Sequence, residues 1–305
     1  MPLWFIGHGC SYDVVLERTR ATQGGQAGAL GLYDQSGGVE GTSNIGGASN
    51  IGATSNIAGA SNIHPAPALS PGISWQWQLT GTLDTAVDAR LFVLDLFDTP
   101  AAALERLKAS GVVSICQFSA GTSEPWRTDV GVLPDFVLGN AADAEPEETW
   151  LDITAPSVHQ LMLSRLDLAV SRGCDGVLPD SVDGYGSNTG FPIGKPESLE
   201  YLTFLAAESR RRGLVVGLAN CAEMVGQAES LFDFVVTTNC VTYRECSSFG
   251  SFIEQGKPVL HAELVGDSTT GEQRLDGICA DTTRRGFSSI VKSVGLSAWR
   301  LVCPE

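Results

Sequence analysis

From Ser74 onward, short apolar runs alternate with stretches of helical periodicity, and this alternation constrains the fold more than any other feature of the chain. The runs are WQWQL (75–79), LFVLDL (91–96), VVSICQF (112–118), TWLDI (149–153), DGVLPD (175–180), LVVGLAN (214–220), FVVTTN (234–239), VLHAEL (259–264) and FSSIV (287–291). Most are continuously apolar, as strands covered on both faces are. Between them, TPAAALERLKASG, PSVHQLMLSRLDLAVSRG and PESLEYLTFLAAESRRRG each carry proline near a first helical turn and end in glycine. In the second, Val158, Leu161, Met162, Leu166 and Ala169 fall on one helical face. Buried strands alternating with amphipathic helices predict a parallel sheet clothed in helices. Eight or nine strands in about 230 residues predict an α/β fold of the (β/α)8 TIM-barrel kind. No GxGxxG follows the first strand, which argues against a dinucleotide-binding sheet.

Residues 1–72 read differently. SNI recurs at 43, 49, 55 and 61, a period of six, and so few hexads cannot stack the coils of a β-helix. A disordered low-complexity tail is expected there, continued by HPAPALSPG (64–72) as a semi-extended spacer, with one barrel domain over 73–305. The 35 acidic against 19 basic residues leave a formal charge of −16, which argues against nucleic acid as a partner and favours neutral or cationic substrates. No apolar run reaches the roughly 18 residues of a membrane span. None of the eight cysteines has CxxC or Cys/His spacing, so neither a metal nor another cofactor is expected. Their distribution suits disulfides and a place outside the cytosol, although MPLWFIGHGCSYDVV has no secretory signal as written. A monomer is expected.

In a barrel, polar residues at the C-terminal strand ends build the site. Those positions carry Asp95 and Asp98, Glu124 with Trp126, Asp180 with Asp183, and Glu263. Any one acid there could be a cap or a loop hydrogen-bonder. Acids at four strand ends point to a site, because a carboxylate in an apolar strand is costly to bury. Two carboxyl groups flanking a glycosidic bond are the usual means of cutting it. Trp75, Trp77, Trp126 and Tyr185 could offer flat faces to sugar rings, and fit core or rim packing equally well. Triad chemistry is poorly supported: there is no GxSxG, His8 and His64 lie in the tail, His159 in a helix, and only His261 on a strand.

The ordered series SWQWQLTGTLD (74–84), DLFDT (95–99), ICQFSAGTSEPWR (115–127), RLDLAVSRGCDGVLPDSVDGY (165–185), NTGF (188–191), GLVVGLAN (213–220) and CVTYREC (240–246) resembles the endo-α-1,4-polygalactosaminidases. These form glycoside hydrolase family 114, a TIM-barrel group sometimes named α-galactosidase-like. The resemblance implies hydrolysis of α-1,4 bonds in a galactosamine-containing polysaccharide, an extracellular setting, and Asp180 as a catalytic carboxylate. With the strand-end and rim positions above, Trp77, Asp95, Asp98, Glu124, Trp126, Asp183 and Tyr185 are expected to bind the substrate. The resemblance also implies disulfides Cys240–Cys246 and Cys279–Cys303, lets Cys116 pair with Cys174, and leaves Cys10 and Cys221 over. The chain departs from the family pattern where Leu178 replaces an acid, Ser181 an Asn, Gln117 a Tyr, and Ala219 and Cys221 a Lys and an Asp. Most consequentially, Thr238 stands where the family places a glutamate, and a hydroxyl cannot serve as a general acid near neutral pH. A partner for Asp180 must then come from elsewhere, with Glu263 or Glu223 as candidates. The alternative is a catalytically impaired barrel that still binds carbohydrate.

Overall fold

In a computed structural model, which describes residues 67–143 and 145–304, the apolar runs become strands and the Pro-to-Gly stretches become helices. The strands are β1 (Trp75–Gln78), β2 (Leu91–Asp95), β3 (Val113–Ser119), β4 (Thr122–Ser123), β5 (Leu138–Ala141), β6 (Thr149–Leu151), β7 (Gly176–Asp180), β8 (Val215–Ala219), β9 (Phe234–Thr238), β10 (Val259–Val265), β11 (Ser288–Ser293) and β12 (Arg300–Val302). The helices are α1 (Ala101–Ala109), α2 (Pro156–Arg172), α3 (Lys195–Arg211), α4 (Val225–Ala228), α5 (Cys240–Tyr243), α6 (Gly250–Glu254) and α7 (Ser268–Ala280). The SNI repeats and the rest of the expected tail up to position 66 lie outside the described residues. Within them, Leu69 already packs with Ile73 against the inner core.

The main sheet runs β1-β2-β3-β7-β8-β9-β10-β11-β12, parallel throughout except for the antiparallel β11/β12 pair. It is a nearly closed barrel. Side chains alternate along each strand, so Leu91, Val93, Ile115, Leu178, Phe234, Val236, Leu260 and Ile290 fill the lumen, while Phe92, Cys116, Val177, Val216 and Val235 meet the helices. Fully burying such a side chain contributes about 1.5–3 kcal/mol. Helix ends follow their sequence signals. Pro156 opens α2, Gly173 closes it in the left-handed conformation (φ 80°), and the Asp267 carboxylate caps α7 by accepting from Thr270 N–H at 2.8 Å.

Two features differ from the sequence reading. TWLDI is a strand, but not a barrel strand: β6 lies between β4 and β5 in a separate antiparallel sheet inserted between β3 and α2. Its composition matches a barrel strand because its apolar side chains are buried all the same, Leu151 in the outer core and Trp150 against Gly121 and Gly184. Among the described residues no backbone ladder joins β1 to β11. Side chains span that seam instead: Trp75 Nε1 donates to Ser288 O at 2.9 Å and Lys292 Nζ to Gln76 Oε1 at 3.0 Å. The two disulfides that the resemblance implied form, Cys240–Cys246 and Cys279–Cys303, and Cys116, for which Cys174 was an open possibility, pairs with it; Cys221 is buried and outside them. No helix among the described residues is long and apolar enough to cross a membrane.

Candidate active site

The inward parity of β2, β3, β7 and β9 brings Asp95, Gln117, Asp180 and Thr238 to the C-terminal mouth of the barrel. Asp180 ends β7, beside Ser119 of β3. Its Oδ2 accepts from Gln117 Nε2 at 2.6 Å and its Oδ1 from Ser181 N–H at 2.9 Å. Gln117 Oε1 in turn accepts from Trp77 Nε1 at 2.8 Å. Trp77 is therefore a buried part of the floor, stacked on Trp75, and it orients Gln117 rather than offering an open face. Burial raises the Asp180 pKa above the usual aspartate value, and the two hydrogen bonds pull against that rise without cancelling it.

Asp95, Asp98 and Glu124 come together as expected, around a residue the sequence reading passed over. The buried Arg127 reaches Asp95 Oδ2 at 2.6 Å, Asp98 Oδ2 at 3.0 Å and Glu124 Oε2 at 3.3 Å. Its guanidinium also lies over the Phe97 ring, 4.6 Å from the centroid. Asp95 Oδ1 accepts from the N–H groups of Phe97 and Asp98, which leaves that carboxylate fully engaged in holding the β2 end. The available signal was EPWR, where Glu124 and Arg127 stand three apart.

The inserted sheet is seated directly on the end of β7. A Cβ on Gly121 would lie 1.6 Å from Ser181 O, so only glycine lets β4 approach this closely. One on Gly184 would meet Thr189 at 3.0 Å and the Trp150 ring at 3.5 Å. This packing carries in Glu148, just before β6. Thr122 Oγ1 donates to Glu148 Oε2 at 2.5 Å, and the Ser119 hydroxyl lies 2.5 Å from the Thr122 hydroxyl. Burial first, with the charges of Glu124, Glu145 and Asp180 adding to it, pushes the Glu148 carboxyl up to about 7. The sequence reading missed Glu148, because DAEPEE reads as a solvated acidic loop.

Glu263, expected as the partner of Asp180, is not beside it. Ala262 and Leu264 face the lumen, so Glu263 points outward into the helix layer. There it accepts from Val241 N–H and Thr242 Oγ1 at the start of α5 and lies 3.1 Å from His261 Nε2. Burial works against its ionisation, but the hydrogen bonds from His261, Thr242 and Val241 prevail and hold it below the usual carboxylate range. Glu223, the other candidate, is half exposed and paired with Lys195 at 2.7 Å; Lys195 lies over the Tyr185 ring at 5.5 Å. Trp126 is exposed and Asp183 buried. Thr238 donates from its N–H and its hydroxyl to Asn220 Oδ1, at 2.9 and 3.2 Å. Leu178 packs in the lumen below Asp180, against Gly217. His261 and the sulfurs of Cys240 and Cys246 lie within 4.8 Å of one another, but those sulfurs are joined in a disulfide and supply no thiolate to a metal.

Comparison with known proteins extends this geometry. The profile described as glycoside-hydrolase family GH114 matches residues 56–305. The crystal structure of Aspergillus fumigatus Ega3 in complex with galactosamine superposes with a TM-score of 0.74 at 33% identity, covering 79% of this chain and 98% of that one. The glycoside hydrolase domain of PelA from Pseudomonas aeruginosa shares the fold, with a TM-score of 0.62 at 14% identity over 76% of this chain and 99% of its own. A protein of Deinococcus radiodurans, described as uncharacterized, is 30% identical over 177 residues. That match covers 52% of this chain and spans only 57% of the relative's length.

Proposed function

Since the chain belongs to glycoside-hydrolase family GH114, we propose that it hydrolyses α-1,4 glycosidic bonds in a galactosamine-containing polysaccharide, with Asp180 as a catalytic carboxylate. The observation that carries this reading is the placement of Asp180. It is oriented by Gln117 and Ser181 at the barrel mouth, in a fold 33% identical to a structure holding galactosamine. The formal charge of −16 favours a partly protonated amino-sugar polymer electrostatically. Tyr185 and the exposed Trp126 are the aromatic faces offered to sugar rings, and the three disulfides suit an extracellular setting. A specific observation supports the alternative, a carbohydrate-binding barrel without turnover: the family's glutamate position is Thr238, whose hydroxyl is committed to Asn220. The deciding experiment is release of reducing ends from α-1,4-linked galactosamine polymer by the wild type and by Asp180→Asn. Hydrolysis that drops at least about 10²-fold in the variant supports the hydrolase. Tight binding with no hydrolysis in either protein supports the alternative.

A further inference from the structure

The hydrolase reading leaves Asp180 in need of a second carboxyl group; of the two candidates read from the sequence, Glu263 points away into the helix layer and Glu223 is half exposed and paired with Lys195. The geometry points to Glu148, delivered by the inserted β4–β6–β5 sheet, as the general acid that protonates the leaving oxygen while Asp180 acts at the anomeric carbon. This inference rests on the proposed hydrolase activity and names the group that performs one half of it.

Four observations converge on Glu148. Its position is built in: the contact of Gly121 with Ser181 O and the Trp150 ring beside Gly184 clamp the insert onto the β7 end. Ala120 N–H also donates to Asp180 O at 2.7 Å, which ties the start of the insert to the strand that carries Asp180. The side chain is buried and held by Thr122, whose hydroxyl is shared with Ser119, the residue in register with Asp180. The hydrogen bonding also divides the roles. Asp180 accepts from two donors, Gln117 Nε2 and Ser181 N–H, which favour its ionised form, whereas Thr122 alone supports the Glu148 carboxylate. The charged groups around Glu148 then set its protonation. Glu124 after β4, Glu145 in the same loop and Asp180 at the β7 end are all acidic, and the cations that act on Glu124, Arg127 and Arg165, are paired with Glu124 and Asp129. A proton is therefore retained on Glu148 up to about pH 7.

In the reaction, the Glu148 proton passes to the glycosidic oxygen as the bond from that oxygen to the anomeric carbon breaks, and the bonding pair leaves with the oxygen. The Asp180 carboxylate stabilises the positive charge that develops on the carbon. Water then adds its hydroxyl to the carbon and returns its proton to Glu148. One water is consumed per bond cut, and both carboxyl groups are restored. An insert that brings its own acid explains how the mouth can work with Thr238 in place of a carboxylate.

The test compares wild type, Glu148→Gln, Thr122→Val and Asp180→Asn on two substrates. One is α-1,4-linked galactosamine polymer; the other is a dinitrophenyl glycoside of a galactosamine oligosaccharide, whose leaving group needs no proton. Glu148→Gln is expected to lose about 10²- to 10⁴-fold in kcat on the polymer, to keep nearly the wild-type rate on the activated glycoside, and to lose the fall in rate above about pH 7. Thr122→Val removes a donor that favours the ionised form, so its alkaline limb moves to higher pH. Thermal unfolding of each variant separates these effects from loss of fold. The inference is overturned if Glu148→Gln keeps the wild-type polymer rate and alkaline limb, or if it slows both substrates equally, while Asp180→Asn is inactive. A wild type no more active than Asp180→Asn on either substrate sinks the hydrolase reading itself, and the role of Glu148 with it.

Discussion

Arg127 and Lys292 are buried cations in opposite halves of the same barrel, and their surroundings treat them in opposite ways. Burial works against the charge on Arg127, but Asp95, Glu124 and Asp98 outweigh it and raise its pKa above the ordinary arginine value. Lys292, on the inner face of β11, meets only the carbonyl oxygens of Gln76 and Ser297; burial, with the charge of Arg300 adding to it, lowers its pKa to about 7. The contrast runs through whole quadrants. The β2, β3 and β7 ends with the insert carry Asp95, Glu124, Glu148 and Asp180, whereas the inner faces of β8 to β11 carry Lys292 as their single ionisable side chain among the described residues. The backbone scaffold is kept on both sides: Asn220 and Asn239 knit the β8 to β10 ends through Thr238 and Leu264 N–H. What differs is the chemistry hung on it. The same strand-end backbone supports an acidic mouth in one half and a nearly uncharged one in the other.

The largest effect should come from breaking the charged half. Arg127→Met leaves Asp95 and Glu124 buried without their cation, and is expected to cost about 3–5 kcal/mol of unfolding free energy in denaturant titrations. A loss under about 1 kcal/mol would mean that these carboxylates are solvated and the two halves less different than described.

The next effect probes the bare half. A lysine whose folded pKa is lowered binds fewer protons folded than unfolded between about 7 and 10.5. Stability therefore rises with pH through that window, by about 1.4 kcal/mol per unit, or about 3 kcal/mol between about pH 7 and 9.5. Lys292→Met should abolish this rise while leaving the fold intact. An unchanged slope in the variant would assign the titration to another group.

A smaller effect is expected where the halves meet. If Asp180 and Glu148 carry the reaction, a carboxylate placed at Thr238→Glu has no vacant role, and kcat on the polymer should change by less than about tenfold, or about 1.4 kcal/mol. A gain of about 10²-fold or more would show that the bare half still lacks the partner and would return the protein to the impaired reading.

The β7 end was legible in the sequence because everything that makes it is local: an apolar run, Pro179, and an acid at the strand's last position. The neighbouring assignments failed where the deciding physics is not local. Glu263 is one residue from facing the lumen, and a period of two turns that single step into the opposite face. TWLDI has the apolar content of a barrel strand, and nothing within it records that its hydrogen bonds go to β4 and β5. The burial of Glu148 is produced by Thr122, 26 positions earlier, and by the packing of Gly121 on Ser181, two residues far apart in the chain. Barrel closure through Trp75, Gln76 and Lys292 likewise uses side chains separated by more than two hundred positions.

The smallest effect sharpens the comparison at the level of backbone. On the bare half, the first residues beyond β8 and β9 are Asn220 (φ 53°) and Asn239 (φ 56°), left-handed and of the type that tolerates it best after glycine, with Cys221 (φ 59°) following Asn220 in the same region. On the charged half the same turn out of β7 is made by Ser181, at φ 57°. Serine has no such tolerance, so part of the roughly 1–2 kcal/mol that the region costs an ordinary residue is stored beside Asp180. Ser181→Asn should relieve about 0.5 kcal/mol and raise the unfolding midpoint slightly. The backbone turn is unchanged by that substitution, so the Ser181 N–H bond to Asp180 Oδ1 should survive, with kcat and the acid limb of the pH profile unaltered. A more stable variant with a shifted acid limb would mean that the strained serine itself tunes Asp180, and that the chain retains it for the charge it holds in place.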